Sequence, residues 1–239
     1  MSSDIIIQLA SVPEREQSLH ITIASLLPQA DRIYVNLNGY DKIPKFLLHP
    51  KIEVNLFDNS MGDAVKFYDV EKREGYVLTC DDDMVYPPDY VSYMKCMVDK
   101  YRCVVSLMGK RYDYRPIVSF RHGYTELYRA YGTVHEDRQV HIGGTGVMAF
   151  HTDYIKVKYS DFKKPNMADI WMAKAAYEQD VPIMVVAHTR FFVMYLPQVK
   201  TIWNRCENSQ YQTDLVNSFL KDIGADITNN SITAPGNQA

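Results

Sequence analysis

Three consecutive acidic residues, Asp81, Asp82 and Asp83, are the strongest sign of chemistry in the sequence. They directly follow an apolar run over 76–80, which has the length and residue types of a buried strand. Carboxylates crowded at a strand end repel one another and lose hydration, and a bound cation removes that cost. Mg²⁺ or Mn²⁺, held by one or two carboxylates together with phosphate oxygens, suits such a cluster. The alternative is a solvated acidic turn, because charge clusters usually face water.

Other reactive residues also follow predicted strands. The segment 11–15 follows the first strand, Asn38 the second, and His188 a strand over 181–187. Ligands of open α/β sheets bind beyond the carboxyl ends of parallel strands, so we expect these residues to share one crevice with the acids. His188 is a candidate metal ligand, and a buried histidine bonded to the backbone is the alternative. Arg15 and Lys66 would add positive charge for a diphosphate.

The elements that must position these residues alternate between strand and helix patterns. A continuous apolar run over 4–10 predicts a central strand buried on both faces. Further strands are predicted over 32–37, 51–57, 76–80, 103–108 and 181–187, and helices over 13–27, 64–72, 87–98 and 166–177. This rhythm predicts an α/β fold with a Rossmann-like, mostly parallel central sheet and helices on both faces.

Two segments in the second half lack a clear period. The stretch 110–141 is dense in tyrosine, arginine and histidine, and is interpreted either as a functional loop or as an ordinary surface excursion. The stretch 140–150 is a glycine-rich approach to a strand, where Gly143 and Gly144 permit close backbone contact. Trp171 and Trp203 are interpreted as packing residues.

Composition limits the class of protein. The chain has 239 residues, 46% of them hydrophobic and 23% charged, which predicts a folded core. A net charge of −3 without a basic tract argues against nucleic-acid binding. Four cysteines without zinc-site spacing, no signal-peptide pattern and no membrane-length apolar stretch predict a cytoplasmic protein with reduced thiols. We treat residues 1–215 as a single domain and 216–239 as a C-terminal helix and tail, partly disordered.

Taken in order, several segments resemble the GT-A fold of nucleotide-sugar glycosyltransferases across residues 4–215. They are the first strand with its SVPER loop, DNSMGDAVKF, the DxD-type TCDDDMVYPPDY, HIGGTGVMAF, MADIWMAKAA and VVAH. Because a DxD motif alone is common, the resemblance rests on the order and spacing of these segments. The pattern is similar to that of small bacterial capsule-type and large-DNA-virus-type transferases.

The resemblance implies a role for each matching position. Asp169 would be the general base, and Asp81 and Asp83 would hold Mn²⁺ or Mg²⁺, with His188 as an additional ligand. Ala168 departs from the family, which often has Glu before the base. The residues implied to contact the nucleotide sugar are Ala10, Ser11, Val12, Arg15, Asn38, Asp63, Lys66, Asp81, Asp82, Gly143 and Gly144.

The implied reaction moves a sugar from a nucleoside diphosphate, taken as UDP, to a hydroxyl of a glycan acceptor. The metal and Lys66 would stabilise the departing diphosphate, so no proton is needed there. Asp169 would take the proton of the attacking hydroxyl. A single base and an in-line attack predict inversion at the anomeric carbon.

Three other classes share part of the pattern. Residues 81–85 match DxDx[TV], the motif of HAD-like phosphatases, although that family places it on the first strand and three predicted strands precede it here. A sugar-nucleotide pyrophosphorylase needs a glycine-rich loop after the first strand, and residues 11–15 contain no glycine. A catalytically inactive nucleotide- or carbohydrate-binding module is the alternative without catalysis.

Overall fold

An eight-stranded sheet forms the centre of the computed structural model, which describes residues 2–197 and 209–220. The strands of the chain are β1 (Ile5–Ser11), β2 (Arg32–Asn38), β3 (Ile52–Phe57), β4 (Tyr76–Cys80), β5 (Met84–Val85), β6 (Val104–Ser106), β7 (Gly109–Arg111), β8 (Glu126–Tyr128), β9 (Arg138–Val140), β10 (Ile142–Gly143), β11 (Val147–His151), β12 (Ile183–Val185) and β13 (Met194–Tyr195). The α-helices are α1 (Glu16–Leu26), α2 (Tyr90–Tyr101), α3 (Ala168–Tyr177) and α4 (Ser209–Phe219).

The central sheet is mostly parallel. Its order is β3-β2-β1-β4-β11-β6-β12-β9. Strands β3, β2, β1 and β4 run parallel to one another, and β11 pairs antiparallel with both β4 and β6. Strand β12 is parallel to β6, and β9 is antiparallel to β12 at the far edge. The carboxyl ends of β1, β2, β4, β6 and β12 therefore lie at one edge of the sheet.

Helices cover both faces of this sheet. On one face Ile7 and Leu78 pack into a core that includes α1 and α2 side chains such as Ile23 and Met94. On the other face Ile6 and Val77 belong to a second core with side chains of α3 and α4, including Ile170, Trp171, Val216 and Phe219. Successive residues of β1 and β4 thus point into opposite cores, which explains their continuous apolar sequence. The predicted single-domain α/β architecture is confirmed.

Two predicted elements differ from the structure. The predicted helix over 64–72 consists of two short 3-10 helices, Gly62–Phe67 and Val70–Lys72. Asp69, between them, has a left-handed backbone with φ of 56°, which a continuous α-helix does not accommodate. The segment 110–141 contains regular structure, because β7 and β8 form a three-stranded antiparallel sheet with β10 and β9 joins the central sheet. Strands of three residues are too short to show a period in the sequence.

The C-terminal boundary proposed at residue 215 falls inside α4, whose Val216 and Phe219 pack into the core. The tail that we predicted to be partly disordered falls on 221–239, and Trp203 and Cys206 on 198–208, all outside the described residues. Cys80, Cys96 and Cys103 are free thiols. Within the described ranges, no helix combines the length and apolar character needed to cross a bilayer.

Candidate functional site

The acidic triplet lies where β4 leaves the sheet, at the edge that collects the parallel strand ends. A buried tyrosine holds this turn in place. The Asp81 backbone N–H donates to the Tyr86 hydroxyl (2.9 Å), and that hydroxyl donates to the Gly146 carbonyl (2.6 Å). The chain therefore turns sharply after β4 and presents all three carboxyl groups within a few residues of the strand end.

Arg15 bridges two of the three acids. It ends a 3-10 helix, Pro13–Arg15, that directly follows β1, and its Nη1 lies 2.7 Å from Asp82 Oδ1 and 3.2 Å from Asp83 Oδ2. Burial raises the pKa of Asp82 in spite of this guanidinium. Burial and the charge of Asp81 raise the pKa of Asp83 to about 7. Negative charge is thus concentrated here beyond what Arg15 neutralises.

Lys66 lies almost fully buried among the other acids. Its Nζ is 2.5 Å from Asp81 Oδ1, and only 4% of its side chain is exposed. Burial lowers the pKa of Lys66, but the charges of Asp81 and Asp63 outweigh it and raise that pKa above its ordinary value. Burial raises the pKa of Asp63 to about 6, although Lys66 opposes the shift. Lys66 is therefore a permanent cation at the centre of the crevice.

Asp169 lies in the first turn of α3 and is oriented by Thr145. The backbone N–H and the hydroxyl of Thr145 both donate to Asp169 Oδ1, at 2.8 and 2.7 Å. Gly143 and Gly144 line a small cavity together with Asp169. The structure therefore brings together Gly143, Gly144 and Asp169, to which the resemblance gave separate roles. Met108 and Lys110 line the same cavity, and burial lowers the pKa of Lys110 to about 8.

The ends of β1 and β2 form the other side of the crevice. Ala10 and Ser11 end β1, and Val12 follows. Tyr40, after β2, donates its hydroxyl proton to the Val12 carbonyl (2.9 Å) and lies 3.4 Å from Ser11 Oγ. The Asn38 amide donates to the Gly62 carbonyl (2.9 Å).

Several oxygens around the crevice are buried without a hydrogen-bond partner among the described residues. They are Asn38 Oδ1, Asp63 Oδ1 and Asp82 Oδ2. A buried acceptor left in this state costs about 1–3 kcal/mol, so such groups in folded proteins usually meet a ligand, an ion or water. Since this edge also collects the carboxyl ends of the parallel strands, where open α/β sheets bind ligands, it is the candidate binding site.

His188 was expected to be a metal ligand, but its ring nitrogens lie next to backbone carbonyls. Its Nδ1 is 2.8 Å from the Val186 carbonyl and its Nε2 is 3.3 Å from the Arg129 carbonyl, so both ring nitrogens face the backbone. Among residues 2–197 and 209–220, no group of three or more His, Cys, Asp or Glu side chains is arranged to hold a metal. A divalent ion here would be bound by two carboxylates and by oxygens of a ligand.

Sequence reasoning missed four residues of this site: Tyr40, Tyr86, Thr145 and Tyr195. Thr145 carried a signal, because it is the only polar side chain within the glycine-rich stretch 143–146. Tyr195 lies in an apolar run without a period, and its place beside the acids depends on the pairing of β13 with β5. No sequence spacing reveals that pairing.

Two crystal structures of S. aureus TarS 1-349 have a similar fold. The structure in complex with UDP-GlcNAc aligns with a TM-score of 0.55 and 11% identity, covering 86% of this chain and 61% of that one. A second structure of TarS 1-349 aligns with a TM-score of 0.51 and 12% identity, covering 92% of this chain and 71% of that one. This chain thus matches about three fifths of the first TarS structure. At this identity the likeness shows the fold alone, and that fold is the predicted GT-A-like one.

Neither a family model nor a curated protein sequence matches the chain.

Proposed function

We propose that this protein is a metal-dependent, inverting glycosyltransferase that moves a sugar from a UDP-sugar to a hydroxyl of a glycan acceptor. The observation that carries the proposal is that Asp81, paired with Lys66, lies against Gly146, and that the preceding residue, Thr145, holds Asp169. The UDP-GlcNAc in the TarS crystal structure, which shares the fold, supports a UDP-sugar as donor.

The nucleoside is proposed to bind between the ends of β1 and β2. The buried oxygens of Asn38 and Asp63 are acceptors that still need donors, and uracil N–H and ribose hydroxyl groups are donors of that kind. Ala10, Ser11 and Val12 supply the backbone at this side of the crevice. Gly143 and Gly144, beside Asp169, would form the floor under the transferred sugar.

A divalent ion fits the acids in charge and chemistry. Asp81 and Asp83 would hold it, and the raised pKa of Asp83 indicates a carboxyl group that gains from added positive charge. The ion would neutralise charge on the departing diphosphate. Lys66 and Arg15 add fixed positive charge on either side of the same carboxylates. We leave His188 out of the ligand set, because both of its ring nitrogens face backbone carbonyls.

Asp169 is proposed to take the proton of the acceptor hydroxyl. Thr145 holds Oδ1 with two hydrogen bonds, which fixes the carboxylate plane. The acceptor oxygen forms a bond to the anomeric carbon while the bond from that carbon to the diphosphate breaks. A single base on the side opposite the leaving group gives inversion.

The test measures UDP released from UDP-GlcNAc with Mn²⁺ and with EDTA, together with the anomeric configuration of the product. We expect Mn²⁺-dependent release, an inverted product and a loss of about 10²- to 10⁴-fold in transfer for Asp169→Asn. Asp83→Asn should abolish the response to Mn²⁺. Asp89→Asn, at an exposed acid beyond the triplet, is the matched control and should behave like wild type.

Other outcomes would reject the proposal. Transfer by Asp169→Asn at near the wild-type rate would show that Asp169 is not the base. Equal release of UDP with Mn²⁺ and with EDTA would show that the reaction does not depend on a metal. Turnover of p-nitrophenyl phosphate, without action on nucleotide sugars, would favour the phosphatase class instead.

A further inference from the structure

Two half-exposed tyrosines contact each other near β5, and we call this pair, Tyr131 and Tyr195, the aromatic corner. Their ring centroids are 5.7 Å apart and their planes meet at 80°. Tyr131 is 41% exposed and Tyr195 42% exposed. Two aromatic rings in contact at the surface form a contiguous exposed patch, and such patches often mark ligand-binding surfaces.

The backbone fixes Tyr195 next to the triplet. Strand β13 pairs with β5, which places Tyr195 opposite Met84, the residue after Asp83. The N–H of the next residue, Leu196, donates to the Asp83 carbonyl (2.7 Å).

Tyr195 also reaches the cavity that contains the proposed base. Its hydroxyl lies 3.9 Å from Met108 Sδ. Met108 lines that cavity together with Gly144 and Asp169. Met108 therefore connects the aromatic corner with the cavity that contains Asp169.

The segment that carries Tyr131 is held by backbone contacts. The Phe191 N–H donates to the Tyr131 carbonyl (3.2 Å), and Val134 and His188 form an antiparallel bridge. The His188 ring contacts the carbonyl of Arg129, two residues before Tyr131. His188 thus has a positioning role in this part of the molecule, which accounts for its burial.

We propose that the aromatic corner is an acceptor subsite that binds a hexopyranose ring and directs one of its hydroxyl groups to Asp169. The negative π face of an aromatic ring attracts the partly positive C–H groups on the flat face of a pyranose. Two perpendicular rings contact a ring-shaped ligand on two sides, whereas an acyclic polyol offers no flat face. The inference rests on the proposed function, and it names the class of acceptor.

The test compares methyl β-D-glucopyranoside, methyl β-D-galactopyranoside and methyl α-D-mannopyranoside with sorbitol, which has hydroxyl groups but no ring. Saturation-transfer NMR on the full chain without a nucleotide sugar measures binding alone. UDP release from UDP-GlcNAc with Mn²⁺ then measures transfer. Because the NMR experiment needs no donor, it tests the aromatic corner even where UDP-GlcNAc is not turned over.

We expect saturation transfer to the ring protons of at least one methyl hexoside and none to sorbitol. Tyr195→Ala and Tyr131→Ala should each raise the KM for that hexoside by about 3- to 10-fold, with a smaller effect on the KM for UDP-GlcNAc. Tyr195→Phe keeps the ring and should stay close to wild type. Tyr114→Ala, at a tyrosine 79% exposed in the same region of the chain, is the control and should change neither constant.

Three results would overturn the assignment. If sorbitol bound as tightly as the hexosides, the site would not require a ring-shaped ligand. An unchanged KM for the acceptor in both alanine variants would show that the two tyrosines do not bind the acceptor. A larger effect on the KM for UDP-GlcNAc than on the acceptor KM would assign them to the donor. A wild-type protein that binds hexosides but never releases UDP would reject the proposed function and keep the subsite.

Discussion

At the scale of single residues, Lys66 balances the charge of the crevice. It lies buried, 2.5 Å from Asp81, and it also offsets the charge of Asp63. A buried cation of this kind contributes little net stability, because its desolvation cost cancels much of the attraction. Removing it, however, leaves carboxylates buried without a counter-ion, and that state is costly.

Lys66→Met keeps the length of the side chain and removes its charge. We expect this variant to lose about 2 kcal/mol of unfolding free energy, because the buried Asp63 oxygen loses its cation while solvent partly screens Asp81, which is 36% exposed. Urea denaturation at pH 7.5 measures the loss. Lys72→Met is the control, since Lys72 is an exposed lysine paired with Asp69, and it should unfold like wild type. Equal stability of the two variants would show that the acids do not depend on Lys66.

At the scale of elements, the turn that enters β11 constrains the turn that leaves β4. Gly146 lies so close to Asp81 that a Cβ atom built on it would come within 2.1 Å of Asp81 Oδ2. The Gly146 carbonyl also accepts the Tyr86 hydroxyl proton. The absence of a side chain at position 146 therefore allows the Asp81 carboxylate to reach Lys66.

Gly146→Ala should displace the Asp81 carboxylate and separate it from Lys66. We expect Mn²⁺-dependent UDP release to fall by about 10²-fold, because a misplacement near 1 Å has that effect on catalysis. Circular dichroism should show an unchanged fold. Gly132→Ala is the control, since its Cβ would come no closer than 3.1 Å to its neighbour Arg129. UDP release by Gly146→Ala at the wild-type rate would show that the position of Asp81 is not critical.

The elements differ in how far the sequence predicted them. Strand β4 was predicted with its observed limits, and β1, β2, α1 and α2 nearly so, because continuous or periodic apolar residues mark elements buried in a core. The helix predicted over 64–72 was wrong, since a local left-handed residue outweighed its period. The three-residue strands within 110–141 were missed because their pairing depends on tertiary contacts.

The residues of the candidate site also differ in how far the sequence predicted them. The acids and Asn38 were singled out because they follow predicted strands, and Lys66 because of its charge within a predicted helix, whereas the role of Asp169 came from the family resemblance. The ion pairs of Arg15 with Asp82 and of Lys66 with Asp81 join residues that are distant in sequence, and no spacing reveals them. The metal ligands remain a prediction.

At the scale of the whole molecule, the crevice should make stability depend on pH. Burial raises the pKa of Asp63 to about 6 in the folded protein, whereas an unfolded aspartate titrates near about 3.9. Between these values the folded state binds more protons than the unfolded state. The contribution of Asp63 is therefore most favourable at low pH and is lost as the pH rises through about 6.

Asp63→Asn removes this titration. We subtract the unfolding free energy of Asp63→Asn from that of wild type. This difference should fall by about 1 kcal/mol between pH 5 and pH 7.5. Urea denaturation of both proteins at the two pH values measures it, and titration of Asp83 cancels in the difference. Asp58→Asn is the control, because hydrogen bonds from Ser60 lower the pKa of Asp58 and keep it ionised across this range. Parallel pH profiles for wild type and Asp63→Asn would contradict the assignment.

Strand β11 enters the sheet late in the chain yet lies between β4 and β6. In the strand register Val147 pairs with Cys80, and Met148 pairs with both Thr79 and Ser106. Nascent chains that end before this strand lack both Thr145 and Gly146, and they leave β4 without its second neighbour. Competence to bind a ligand is thus postponed until β11 has paired with β4, across the 67 positions that separate Val147 from Cys80. A half-synthesised chain gains no protection from the ligand.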